Sequence, residues 1–499
     1  MDHLTLLLFI SFIFFILFFI FQTRSSQSAA KNPPGPRPLP IIGNILELGT
    51  LPHQSLTNLS RTYGPVMTLK LGRTTTVVIS SPQAAKEVLQ KKDHAFSFRT
   101  IPDTIRAHDH DQISVVWMPP SSQWRVLKRI CVTEVFSAHR LDSTQTRRQR
   151  KLQDLLNYVD EFCRNGEALD ISDAVFTTVL NSISNTFFSM DLARYTSDKS
   201  QEFKDIIWGI MEEAGRPNVV DFFPVLRVLD PQRARSRMMS HFGKLFAFFD
   251  GLIEERLRFV GLEMEFKRFN DVLDSLMQLM MNENPQVSRP QVLHLFLDLF
   301  VAGIDTTSST IEWAMAELLR NPEKMKIAKD ELRQILREDE QLEEFHISRL
   351  PFLRAIVKET MRLHPSLPLL VPHKTEDEAE LCGCFVVPKN AHVLINAWAI
   401  GRDPNVYDDP NQFKPERFMD NEIDFKGHDF ELIPFGAGRR ICPGLPLANR
   451  TVHIVLASLL YHYDWKNPNG FKAEDMDMSE MYGISLHKAI PLKAIPIKA

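Results

Sequence analysis

The sequence is poor in cysteine, with only Cys131, Cys163, Cys382, Cys384 and Cys442 in 499 residues. An odd, sparse set does not read as a disulfide framework, and it places the bulk of the chain in a reducing compartment. A dominant charge of one sign is missing too. Lys and Arg number 58, Asp and Glu 62, and the net charge is −4; this argues against a nucleic-acid partner. No P-loop is present, and Gly436-Ala437-Gly438-Arg439-Arg440-Ile441 fails the GxGxxG dinucleotide pattern at its last position. Cys382-Gly383-Cys384 lacks the second pair that a structural zinc site needs. There is no internal repeat, and no low-complexity tract after the first forty residues.

What is present begins with a long apolar run. Leu4 to Phe21 reads LTLLLFISFIFFILFFIF, broken only by Thr5 and Ser11. At about 1.5 Å per residue it spans roughly 27 Å, the hydrocarbon thickness of the endoplasmic reticulum membrane. A cleaved signal peptide is the competing reading, with Ser26-Gln27-Ser28 as a weak cleavage site. The run exceeds a usual signal core, however, and no Lys or Arg precedes it. Arg24, Lys31 and Arg37 follow it, which directs the rest of the chain to the cytosol. Residues 1–31 are therefore expected to form a retained single-pass membrane anchor and its flank. Residues 32–40 hold five prolines in nine positions, a stiff extended hinge. Residues 41–499 are expected to be one continuous catalytic domain.

The periodicity of that domain is mainly helical, with a small sheet contribution. Val66 to Leu71 alternates, Gly72-Arg73 turns and Thr75 to Ile79 is β-branched, which predicts a hairpin. Helical spacing runs through 153–163, 238–257, 292–320 and 322–336. Short strands are expected at 385–387 and 392–395. The proline-broken VVDFFPVLRVLDP, Val219 to Pro231, reads either as a buried loop or as a second membrane contact beside a substrate entrance.

Four segments carry chemistry. In FGAGRRICPG, Phe435 to Gly444, Gly436 and Gly438 predict a forced tight turn. The turn sets Cys442 just before a helix, where N–H groups and the helix dipole favour a thiolate, hence a metal ligand or a nucleophile. In Ala302-Gly303-Ile304-Asp305-Thr306-Thr307, the Thr306 hydroxyl can bond the Ala302 carbonyl and open the helix beside Asp305. The small residues there leave room for something flat. Glu359 and Arg362 fall on one helix face, and Arg417 follows in KPERF; buried together, each would need the others. Trp124-Arg125-Val126-Leu127-Lys128-Arg129 sets an aromatic and a cation four apart, suited to an acidic flat ligand.

FxxGxRxCxG, ExxR, PERF and AGxDTT occur together and at the right distances. On these motifs the chain resembles the cytochrome P450 haem-thiolate monooxygenases over essentially its whole length. That resemblance implies the mainly α cytochrome P450 fold and haem b (iron protoporphyrin IX) as cofactor. Cys442 looks like the axial iron ligand, whose electron donation favours O–O cleavage. Arg440 and Trp124 match residues that meet the haem propionates. Lys128 stands where the family usually has Arg, and His373 where many relatives have Arg, so a propionate contact at His373 would be weakened or pH-sensitive. Phe435 and Gly436 belong to the same haem-binding loop. Asp305 and Thr306 match the catalytic acid–alcohol pair that relays protons, and Glu359, Arg362 and Arg417 match a structural ion network.

With no flavin or nicotinamide site in the chain, the resemblance implies electrons from NADPH–cytochrome P450 reductase. Arg125, Arg129 and Arg439 are candidate contacts for that acidic partner. DLFVAGIDTTSSTIEWAMAELL, NAWAIGRDP and FELIPFGAGRRICPGLPLA narrow the resemblance to plant microsomal family 76, whose members hydroxylate terpenoids. Ile105, Ile113, Val115, Val301, Ala302, Leu369, Leu370 and Ile484 are the expected apolar substrate wall. The alternatives are a non-oxygenating haem isomerase or dehydratase, which tends to lose the helix alcohol, and a non-catalytic membrane-anchored haem protein.

Overall fold

The computed structural model describes residues 32–499 apart from 196, 264–268, 283–285, 337–339 and 471. The apolar run Leu4–Phe21, expected to be a membrane anchor, lies outside the described residues. The principal helices are α1 (Pro52–Tyr63), α2 (Ser122–Ile130), α3 (Gln145–Asn165), α4 (Ile171–Phe188), α5 (Asp198–Gly215), α6 (Ala234–Glu263), α7 (Arg289–Arg320), α8 (Pro322–Ile335), α9 (Pro351–Leu363) and α10 (Leu445–His462). The helical periods expected at 153–163, 238–257, 292–320 and 322–336 all fall on these elements.

Helix α7 organises the core. Ser288 caps it in a box with Gln291, and a proline occupies its first turn. It is long and apolar enough to cross a membrane by length and composition, but nearly all of its residues from Val292 to Leu319 are buried in the protein. Its most apolar window is 72% buried, against α4, α6, α9 and α10, which makes it the central helix of the globule. Trp313, Phe296 and Phe300 are among its fully buried side chains.

The main sheet joins β1 (Val66–Leu71), β2 (Thr74–Ile79), β3 (Phe98–Arg99), β4 (His373–Lys374) and β5 (His392–Ile395) in the order β1-β2-β5-β4-β3. Strands β2 and β5 are parallel, with Thr76 opposite His392; the other pairs are antiparallel. The expected hairpin is β1–β2, turning at Gly72-Arg73. The expected strand Phe385–Val387 pairs with Ala379–Leu381. A C-terminal hairpin, β6 (Glu480–Tyr482) and β7 (Leu486–Lys488), folds back onto α7, where Ser309 Oγ donates to the Leu486 carbonyl at 2.8 Å.

The proline-rich stretch lies against the domain: Pro34 accepts the Thr68 N–H at 2.8 Å, and a Cβ on Gly35 would lie 1.8 Å from the Thr68 carbonyl oxygen. The Val219–Pro231 stretch is not a buried loop. Val225, Val228 and Leu229 are 82, 90 and 72% exposed, and only Val220 is fully inside. The reason is geometric. Val219–Phe222 and Pro224–Val228 are single helical turns, too short to fold all their apolar side chains under.

Candidate active site

The Cys442 loop takes the conformation that its glycines allow. Gly436 and Gly438 have φ of +68° and +63°. A Cβ on Gly438 would meet the Leu89 carbonyl oxygen at 1.8 Å, so only glycine fits there. The Cys442 N–H donates to the Phe435 carbonyl at 3.0 Å and closes the turn just before α10. The Cys442 side chain is exposed, but onto the wall of an internal cavity.

That cavity offers about 240 Å³ to the centres of water-sized molecules, and its walls include Cys442, Phe435, Gly436, Ala302, Gly303 and Thr306. Burial pushes the Cys442 thiol above its ordinary pKa, while the Gly444 and Leu445 N–H groups and the Lys128 ammonium pull it down. The expected bias toward thiolate is thus present in the donors but is outweighed by desolvation in the protein alone.

Three cations line the same cavity: Arg99, Lys128 and Arg440. Arg440 donates to the carbonyls of Ser97, Val115 and Met118, and its guanidinium lies 4.5 Å from the centre of the Trp124 ring. The Trp124 indole N–H donates to Val115 at 3.0 Å. Lys128 donates to the Ile441 carbonyl, next to Cys442. Arg99 donates to Val116 and Val371. These acceptors are all backbone carbonyls, and no ion pair joins any of the three to a carboxylate among the described residues. Burial lowers all three pKa values, Arg440 to about 10. Arg440 lowers Arg99 further, and the guanidiniums of Arg440 and Arg99 add to the lowering of Lys128. A soft sulfur donor on one wall and unbalanced buried cations around an apolar space suit an iron-bearing, flat, dianionic ligand. The donor set therefore fits haem.

His373 corrects one expectation. It lies directly opposite Arg99 in the β3–β4 register, and its Nδ1 is 2.7 Å from the Phe96 carbonyl. Burial, with Arg99 and Arg440, holds its pKa well below the ordinary histidine value. It is neutral near pH 7 and provides no pH-sensitive contact there. The cation comes from its cross-strand neighbour Arg99, which sequence reasoning missed.

On the α7 side, Thr306 Oγ1 donates to the Ala302 carbonyl at 2.6 Å, as the sequence predicts. Gly303 serves two purposes: it lines the cavity, and a Cβ there would press on Ile183 of α4 at 3.0 Å. Asp305 is buried but is not among the cavity walls; its carboxylate lies 3.3 Å from His487 Nε2.

Glu359 and Arg362 are not a surface pair. Both are fully buried, joined at 2.7 and 2.8 Å, with Arg417 Nε at 3.1 Å from Glu359 and Arg362 also holding the Gly401 and Pro410 carbonyls.

Of the expected substrate wall, Val115, Ala302 and Leu370 line the Cys442 cavity. Leu369 and Ile484 line a second cavity of about 610 Å³ among β1, β2 and residues 214–227. Arg99 and Leu370 line both, so they form the partition between them. Ile105, Ile113 and Val301 line neither. Ile105 and Val301 are core residues, and Ile113 is a half-buried residue at the end of the short helix His110–Ile113. Leu299, Ile183, Phe187 and Val371 are walls that the sequence did not single out. Arg125 and Arg129 are exposed, whereas Arg439 is held by Asp93 at 3.1 Å.

Comparison with known proteins agrees with this architecture. The cytochrome P450 family model matches residues 33–491. The chain is 50% identical to geraniol 8-hydroxylase of Catharanthus roseus over 99% of both chains. It is 52% identical to cytochrome P450 76T24 of the same plant over 94% of both. A zebra fish cytochrome P450 solved with abiraterone superposes with a TM-score of 0.74 at 25% identity, covering 90% of this chain and 100% of that one. The chain therefore belongs to the cytochrome P450 family, alongside its plant members numbered 76, and haem is its cofactor.

Proposed function

We propose that this cytochrome P450 monooxygenase hydroxylates a small apolar terpenoid, drawn from the mono-, sesqui- or diterpenoids. It takes electrons from NADPH–cytochrome P450 reductase while anchored in the endoplasmic reticulum membrane with its catalytic domain facing the cytosol. The observation that carries the reading is one apolar cavity walled by both Cys442 and Thr306, with the Thr306 hydroxyl already bonded 2.6 Å from the Ala302 carbonyl. The name of the geraniol 8-hydroxylase relative supports the terpenoid class.

Bound haem supplies the iron chemistry that activates dioxygen. The chain's own residues do the rest. Cys442 is the sulfur ligand, and the N–H groups of Gly444 and Leu445 temper its charge. Arg99, Arg440, Lys128 and Trp124 hold the acidic edge of the cofactor. Val115, Ala302 and Leu370 keep bulk water out and orient an apolar substrate loosely. Thr306, with Asp305 behind it, holds and passes protons at its Oγ1. The outer cavity, flanked by exposed Val225, Val228 and Leu229, supports entry from the membrane side. Exposed Arg125 and Arg129 on α2, which Lys128 ties to the Cys442 loop, support reductase docking on that side.

Reconstitution with reductase, NADPH and a terpenoid panel tests the proposal. A hydroxylated, NADPH-dependent product is expected from at least one terpenoid; none from any would remove the substrate claim. Replacing Cys442 by Ser should abolish both pigment uptake and turnover.

A further inference from the structure

Asp305 and Thr306 are neighbours in sequence but face different ways. Thr306 lines the cavity, and Asp305 turns toward the C-terminal hairpin. Its carboxylate is 3.3 Å from His487 Nε2, close enough for an ion pair. The contact is long, and no group but His487 is placed against Asp305 Oδ2 among the described residues. A buried carboxylate oxygen held by one long contact is weakly fixed, which suits a group that must exchange partners. His487 itself is well fixed. Ser485 Oγ lies 3.0 Å from the same ring nitrogen, and Ser309 of α7 anchors the preceding residue, Leu486.

The groups facing His487 are few. Helix α7 contributes Asp305 and Glu312, and α5 contributes Lys204 and the ring of Trp208, 6.3 Å away edge-on. Trp208 is 39% exposed, so this side of His487 approaches solvent. Burial opposes a charge on His487, but Asp305 and Glu312 outweigh it, and its pKa lies above the ordinary value.

We propose that His487 is a positioning residue for Asp305, holding that carboxylate on the outer side of α7 and recharging it with protons from the α5 surface. A proton passes from His487 Nε2 to Asp305 Oδ2, then toward Thr306 Oγ1, and the imidazole is reprotonated from solvent beside Trp208. No electrons move in this sequence. The inference rests on the proton-relay role proposed for Asp305 and Thr306.

The test uses the full-length holoenzyme with reductase and a turned-over terpenoid, each variant first normalised by its reduced carbon-monoxide band. In H487Q the product formed per NADPH should fall about fivefold, hydrogen peroxide should rise to match, and KM should stay unchanged. H487K, which keeps a cation, should restore most of the coupling. Coupling in the wild type should decline as pH rises through the raised His487 pKa, while H487K stays flat. The double variant H487Q/D305N should be no worse than D305N alone. A readout independent of turnover is the melting temperature of the holoenzyme. Because the fold favours charged His487, the gap between wild type and H487Q should be larger at pH 6 than at pH 8.5. Should H487Q take up no pigment, the flat pH profile of H487K carries the same comparison. Wild-type coupling in H487Q at every pH, or a loss that adds fully to that of D305N, overturns the relay alone. A wild type with no NADPH-dependent product overturns the monooxygenase reading, and the relay with it.

Discussion

Asp298 and His110 meet inside the protein, carboxylate oxygen to Nε2, at 3.1 Å. Asp298 also accepts from Ser114 Oγ at 2.7 and 2.8 Å and from the Val115 N–H at 2.8 Å. A carboxylate can only accept, so His110 Nε2 carries a proton, and the Nδ1 atoms of His110 and His294 lie 2.7 Å apart and share one hydrogen. Burial and His110 lower the pKa of His294 to about 4, which keeps it neutral near pH 7. This ladder ties the loop that carries Val115 to α7. The Val115 carbonyl in turn receives Trp124 and Arg440.

Removing the anchor should be felt at once. Asp298→Ala strands three buried donors and is expected to cost on the order of 3 kcal/mol, read by chemical denaturation of the holoenzyme. The freed loop should also broaden the product mixture. A loss under about 1 kcal/mol with an unchanged product ratio would show that the ladder holds nothing.

The two glycines of the Cys442 loop should behave differently. Gly436→Ala meets open space, its nearest neighbour being Leu370 Cδ1 at 4.0 Å, so only the left-handed backbone is strained, by about 1–2 kcal/mol. Gly438→Ala adds a collision with the Leu89 carbonyl and must displace the loop. Reduced carbon-monoxide spectra should show normal haem-thiolate in the first and little or none in the second.

How far the sequence could be read follows from the range of each contact. Thr306 bonds Ala302 four residues away, and Glu359 bonds Arg362 three away, so spacing alone exposes both. The β1–β2 hairpin is equally local. Arg99, by contrast, matters because it lies opposite His373 in the β3–β4 register, and His487 because a hairpin returns it to Asp305 across the chain. No periodicity marks such pairs. The apolar wall was legible only in part for the same reason: Val115, Ala302 and Leu370 line the Cys442 cavity, whereas Ile105 and Val301, apolar residues in the same segments, belong to the core. The exposed Val225 and Val228 defeat the burial rule because only a folded surface shows that nothing covers them.

The buried ion network should tolerate no approximate replacement. Arg362 uses Nε and Nη2 on Glu359 and Nη1 on the Gly401 and Pro410 carbonyls. Arg362→Lys keeps the charge but loses the fork, leaving carbonyls and Glu359 unsatisfied; about 3–5 kcal/mol is expected. Expression with loss of pigment, despite a distance from substrate, is the outcome to look for. Normal pigment yield and melting temperature would refute it.

The proposed membrane contact can be separated from stability. Val225, Val228 and Leu229 are 82, 90 and 72% exposed, so a V228D/L229D variant removes no core packing. Its melting temperature should change by no more than about 2 °C. Its KM for an apolar substrate supplied in vesicles should rise several-fold, and its KM for a detergent-solubilised substrate should not. Equal KM values in both settings would exclude a membrane route past this patch.

Acid should destabilise the protein through histidines that the fold keeps neutral. His453 is 1% exposed, with its Nδ1 2.6 Å from the Asn449 carbonyl. Burial lowers its pKa to about 4, from an unfolded value near 6.5. Between those two values the unfolded chain binds a proton that the folded chain refuses, so stability falls as pH drops from about 6.5 and the loss saturates near pH 4. One such group contributes on the order of 3 kcal/mol to the acid loss. His453→Leu removes the titration while filling the same space, at the cost of one hydrogen bond to a helical carbonyl. Its melting temperature should therefore be near or below wild type at pH 7.5 and draw level or exceed it at pH 5. Parallel melting curves for the two proteins across that range would mean that His453 already carries its proton in the fold, and that water reaches this face of α10 after all.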